Sequence, residues 1–147
     1  MIYGNICSTE IDDKKIWLSD LHIKACYYNS LVDFDIVCKK ILGLDNKIRF
    51  AGIINEKGRL IAGGLREGLK SLEDPKDDEM LFMELALRVK MRREFDKQLG
   101  SVKFAMSLRE KVIVMSFPTG ANHILYISAD TSLDYGVIPS KILKILQ

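Results

Sequence analysis

The sequence predicts an α+β domain: one mostly antiparallel five-stranded sheet with helices packed on it, in the order helix, two strands, long helix, three strands, helix. Three observations predict it. Apolar residues recur at helical spacing over residues 34–42, 78–99 and 138–146. Between and after these segments the chain is strand-like, over residues 48–55, 59–65, 102–108, 111–117 and 123–129, and beyond Gly100 the apolar period falls to two. The changes of period fall at chain-breaking residues, among them Gly43, Gly58, Gly100 and Pro118.

Taken in order, residues 1–29 read as an extension to the main domain. Ser8 or Thr9 would cap a helix running to about Cys26, with Ile11, Lys15, Leu18, His22 and Ala25 down one side. The main domain, residues 30–147, opens with Ser30 and Asp33 in the spacing of a capping box. Phe34, Val37, Cys38, Ile41 and Leu42 then mark one face of a helix that Gly43 ends. A hairpin follows, with Asn55-Glu56-Lys57-Gly58 as its turn. If Asn55 faces Gly58, Ala51 faces Ala62 and Phe50 faces Gly63. Small residues there leave room for a helix to lie close on the sheet.

The long helix is expected over residues 78–99. Asp74, Asp77, Asp78 and Glu79 suit the positive end of its dipole, and Arg92, Arg93 and Lys97 the negative end. It carries two apolar stripes. Leu81, Phe82, Leu85 and Val89 form one; Met80, Met83, Leu87, Met91 and Phe95 form the other. A helix with one wet face needs one stripe, so two different surfaces must press on this one. Beyond Gly100, Val102, Phe104, Met106 and Leu108 alternate with small and polar residues. A turn at Arg109-Glu110 sets Phe104 opposite Met115 and Met106 opposite Ile113. Leu125 and Ile127 join that covered face from the last strand. Pro139 suits the first turn of a closing helix whose apolar side is Ile138, Ile142, Leu143 and Leu146.

The totals exclude several classes. At 147 residues, 48% hydrophobic and 29% charged, the chain has the balance of one globular domain rather than a disordered tail. A net charge of +2 gives no general attraction to nucleic acid or anionic membrane. No apolar run approaches the ~20 residues that span a bilayer. The first residues lack a basic start followed by an apolar block, so cytoplasmic residence is the expectation and no membrane partner is assigned. Cys7, Cys26 and Cys38 lack metal-binding or redox spacing and read as reduced thiols.

The central text, Phe50-Ala51-Gly52-Ile53-Ile54-Asn55-Glu56-Lys57-Gly58-Arg59-Leu60-Ile61-Ala62-Gly63, resembles the first hairpin of the roadblock (dynein light-chain-like) family, within the profilin-like folds. Residues 111–116 and 124–129 match that family's later strands in type, and the likeness spans about residues 30–146. The resemblance implies a non-enzymatic homodimer that pairs the long helix and joins its sheets edge to edge. It also implies a scaffold or regulator that binds another protein, for instance a small GTPase.

Candidate sites follow from these readings. The stripe Met80, Met83, Leu87, Met91 and Phe95 is the candidate dimer or partner interface. Arg88, Arg92, Arg93 and Lys97 are the candidate anion contacts, although Glu94 and Asp96 dilute them and they spread round the helix. A nucleic-acid partner using this cluster ranks third, ahead only of an enzyme, because no aromatic residues interleave with it. The second-ranked reading is a small-molecule sensor with a cavity bounded by Tyr27, Tyr28, Phe50, Tyr126 and Tyr135. His22 and Cys26 stand one helical turn apart but lack two further ligands, so no metal is assigned. His123 has no nucleophile in a recognisable elbow, and no glycine-rich phosphate loop occurs, so no catalytic residue and no cofactor are assigned.

Overall fold

The five strands form one wholly antiparallel sheet in the order β2-β1-β5-β4-β3, in a computed structural model that describes residues 33–147. Helix α1 occupies residues 33–42. It is followed by β1 (Ile48–Asn55), β2 (Leu60–Leu65), α2 (Pro75–Arg93), α3 (Asp96–Leu99), β3 (Ala105–Leu108), β4 (Ile113–Thr119), β5 (His123–Ala129) and α4 (Ile138–Leu146). This is the element order that the sequence predicts, with one extra short helix. The helix expected within the N-terminal extension and the His22–Cys26 pair lie outside the described residues.

Period two in the strands gives the sheet two apolar faces, and helices cover both. On one face Ile53, Met115, Phe117, Leu125 and Ile127 pack against Cys38 and Ile41 of α1 and Ile138 and Ile142 of α4. On the other, Ile54, Val114, Ile124 and Tyr126 pack against Phe82, Leu85, Ala86 and Val89 of α2. Burial pushes the Cys38 thiol up to about 11, with the Asp35 carboxylate adding to the shift, so it stays protonated at neutral pH.

The first turn of α2 obeys its sequence signals. Pro75 stands at the start of the helix, and the Asp74 carboxylate accepts from the Lys76 N–H at 3.3 Å. The other end differs from the single helix expected over residues 78–99. The last turn tightens, with Glu94 N donating to Met91 O and Phe95 N to Arg92 O, an i→i+3 pattern that ends α2. Phe95 then caps the separate α3, and Gly100 at φ +80° closes it. Phe95 therefore belongs to the break rather than to the α2 stripe.

Both hairpin registers differ from expectation, each by two residues. In the first, Ala62 faces Ile53 and Gly63 faces Gly52. Asn55 pairs with Arg59 instead of Gly58: its N–H donates to Arg59 O at 2.9 Å, and its side-chain oxygen accepts from Lys57 N and Arg59 N, both at 3.0 Å. Gly58, at φ +74°, is the extra left-handed residue of a three-residue loop. A further irregularity beside Ile53 completes the shift. In the second hairpin Met106 faces Met115 and Leu108 faces Ile113. Arg109 N donates to Val112 O at 2.9 Å, so Glu110 and Lys111 are the central turn residues. The turn lies one residue later than Arg109-Glu110, which moves the pairing by two.

The expectation that small residues admit a helix holds at a particular contact. A Cβ on Gly63 would meet the Cys38 sulfur of α1 at 2.7 Å and would also strike the Ala51 carbonyl oxygen. Asp35 of α1 accepts from the Gly63 N–H at 3.0 Å, so α1 docks directly on the backbone of β2. Arg66, just past β2, fixes the same corner. Its guanidinium donates to Ile48 O at 2.8 Å, to Asp45 O at 2.7 Å and to Leu42 O, tying the end of α1 and the start of β1 together.

Candidate interaction surface and cavity

Helix α2 lies on the sheet with Phe82, Leu85, Ala86 and Val89 and turns its other apolar stripe outward. Met80, Met83, Leu87 and Met91 are 69%, 60%, 58% and 60% exposed. Spacings of three, four and four residues put them in one row along the helix. Scattered apolar residues on a surface need no explanation, but a contiguous row of long, adaptable side chains does. Phe95 and Leu99 add exposed apolar surface past the break.

Strand β3 forms one edge of the sheet and pairs only with β4. Phe104, Met106 and Leu108 are exposed along or beside it. Met106 and Leu108 continue, at the edge, the apolar rows of Met115 and Ile113. The Phe104 ring stacks on Phe117 with centroids 5.6 Å apart. An apolar edge strand of this kind is a template for pairing with another strand.

The predicted cation cluster does not act as one patch. Arg88 is held by Glu84, four residues earlier, at 2.6 Å, and this is the single ion pair among the described residues. Lys97 stands exposed on α3. Arg92 and Arg93 share a different environment with Lys103, a residue the sequence reading did not select. These three line an open cavity of about 620 Å³ at one end of the sheet, where α2, the 101–103 connection, the β4–β5 turn and α4 meet. Arg93 reaches across it and donates to Ala121 O at 2.6 Å.

The cavity expected around Phe50, Tyr126 and Tyr135 is not formed. Phe82 of α2 fills the space, with its ring 5.9 Å from Phe50 and 5.2 Å from Tyr126, and the remaining void is only about 20 Å³. Tyr135 lies half exposed in the loop before α4, and Tyr27 and Tyr28 lie outside the described residues. Burial in this cluster pushes the Tyr126 hydroxyl far above its ordinary pKa, as it does more modestly for the nearby Glu73 carboxyl. His123 packs against the Phe34 ring at 5.0 Å. Among the described residues no group of three or more His, Cys, Asp or Glu side chains is placed to hold a metal ion. No helix among them is long and apolar enough to cross a membrane.

This arrangement, a five-stranded antiparallel sheet with α2 on one face and α1 and α4 on the other, is the fold of roadblock/LC7 domains and profilins. The gliding protein MglB of Thermus thermophilus superposes with a TM-score of 0.62 at 18% identity, covering 82% of this chain and 87% of that one. The roadblock/LC7 domain of Streptomyces avermitilis gives 0.59 at 13% identity, over 76% and 90%. Profilin of Schizosaccharomyces pombe gives 0.53 at 15% identity, over 77% and 92%. The chain itself belongs to a family of unknown function, DUF6659, whose model matches residues 28–146. No curated protein matches it.

Proposed function

We propose that this protein is a non-enzymatic scaffold or regulator that works as a homodimer and binds another protein. The observation that carries the reading is the exposed Met80, Met83, Leu87 and Met91 row on the outer side of α2, in a molecule whose β3 edge is also apolar and unpaired. Two copies related by a two-fold axis would pair α2 with α2 and β3 with β3, each surface meeting its own equivalent. The edge strands would then extend two five-stranded sheets into one. The roadblock/LC7 likeness supports this reading, and a small GTPase is the partner class that the likeness brings with it. A cytoplasmic location fits the same role.

A sensor built around Phe50 and Tyr126 is not favoured, because Phe82 occupies the space a ligand would need. A nucleic-acid partner is not favoured either, because Arg88 is paired with Glu84 and the other cations, Arg92, Arg93 and Lys103, gather at one cavity rather than along a surface track. The test is solution mass by light scattering across a range of concentrations. The reading predicts twice the chain mass of 16.7 kDa. A mass of one chain at every concentration would contradict it.

A further inference from the structure

We infer that the cavity at the end of the sheet is a binding site for a small amphipathic anion, a phosphate or carboxylate head on an apolar body. At about 620 Å³ it has the size of a metabolite pocket. Its walls divide by chemistry. Arg92, Arg93 and Lys103 supply cationic groups, while Val89, Leu143 and Leu146 supply an apolar floor drawn from the two helices on opposite faces of the sheet. The head of the ligand belongs with the cations and its body with the floor.

The balance of charge points to an anion rather than a solvated basic end. None of these cations is in the single ion pair of the described residues, although Asp96 also lines the cavity. Only two buried side-chain polar atoms among the described residues lack a hydrogen-bond partner, Arg92 Nη1 and Thr119 Oγ1. Both belong to this end of the molecule: Arg92 lines the cavity, and Thr119 stands between the lining residues Pro118 and Gly120. Arg92 Nη1 is itself closed off from the open cavity, so an anion there would meet the other donors of the guanidinium fork, whose planar geometry suits a phosphate or carboxylate. Arg93, by contrast, is already anchored on Ala121 O, which holds the β4–β5 turn against α2 and keeps the cavity walls in place. The site does not involve the Met80, Met83, Leu87 and Met91 row, so it stands independently of the dimer reading.

The test is calorimetric titration of the full chain with phenyl phosphate and with phenylacetate, each set against inorganic phosphate and benzyl alcohol. At least one amphipathic anion is expected to bind more tightly than inorganic phosphate, and benzyl alcohol is expected to show no binding. Replacing Arg92→Met is expected to weaken that binding about tenfold or more, the loss of one charge-assisted pair. Should that variant fail to fold, Lys103→Met, at an exposed position, serves in its place with the same expectation. Retained affinity in Lys103→Met and Arg92→Met, or no binding of either anion to the intact chain, would overturn the assignment. So would attachment to phosphatidic acid vesicles without any response to the soluble anions, which would mark a charged surface rather than a cavity.

Discussion

The double variant Met83→Glu, Leu87→Glu is expected to be a folded monomer. Both side chains project from the outer row of α2 and touch none of the core that holds α2 on the sheet. Glutamate is a good helix former, so each exposed replacement costs the fold no more than about 0.5 kcal/mol. In the dimer the same change acts four times, because each copy brings two carboxylates to a self-complementary surface. A buried unpaired charge costs about 2 kcal/mol or more, giving a total near 8 kcal/mol. At 1.4 kcal/mol per tenfold, the dimer would weaken by five to six orders of magnitude. Light scattering checks the mass, and circular dichroism checks that the helix content is kept. An unfolded variant would instead place Met83 and Leu87 in the chain's own core.

Gly58→Ala is expected to destabilise the fold strongly. Gly58 sits at φ +74°, where a side chain costs about 1–2 kcal/mol. The added Cβ would also lie 2.6 Å from both the Cα and N of Met83. That neighbour is helix backbone and has no rotamer by which to yield. Relief requires α2 to lift from the β1–β2 turn, which opens the contacts of Phe82 with Phe50 and Tyr126. A total near 4 kcal/mol is expected, and at 2–4 °C per kcal/mol the melting temperature should fall by about 10 °C. Gly120→Ala is the control. Its φ of +68° carries the same backbone penalty, but nothing lies within 4 Å of the new methyl. It should cost only the 1–2 kcal/mol of strain. Equal losses in the two variants would show that the close approach of α2 to the turn contributes nothing.

The parts of the fold that were legible in the sequence are those written in short-range period. The two stripes of α2 can be read from spacing alone because a helix converts three- and four-residue intervals directly into faces. One stripe is buried against the sheet and the other is exposed. The hairpin registers were not legible. Each depends on how many residues the turn consumes, and the glycine that signals the turn at Gly58 is itself the extra residue that shifts the pairing. The break at Phe95 escaped for a different reason: apolar and charged spacing runs on through it, while the change is a tightening of backbone hydrogen bonds.

The cavity shows the limit most plainly. Arg92 and Arg93 stood out as part of a basic run, but the run also included Arg88 and Lys97, which face elsewhere. Lys103 lies beyond the Gly100 stop, and Leu143 and Leu146 come from the last helix. Only the sheet order, which brings the β4–β5 turn beside the end of α2, joins them. Arg66 is likewise unmarked in the sequence. Its three carbonyl partners come from separate elements, and no local pattern marks it.

The most direct measurement of the central claim is an intermolecular distance by electron spin resonance. A nitroxide is attached at Leu87→Cys in a chain whose Cys7, Cys26 and Cys38 are replaced by alanine, and a second sample carries it at Lys141→Cys on α4. Helices packed in contact have axes about 8–10 Å apart, so labels at residue 87 of two copies should be close. Lys141 is on the helix that covers the opposite face of the sheet and should give a much longer distance. A short distance at residue 87 with a long one at residue 141 is the predicted result. No dipolar signal at residue 87, or a shorter distance at residue 141, would contradict a dimer built on the exposed row of α2.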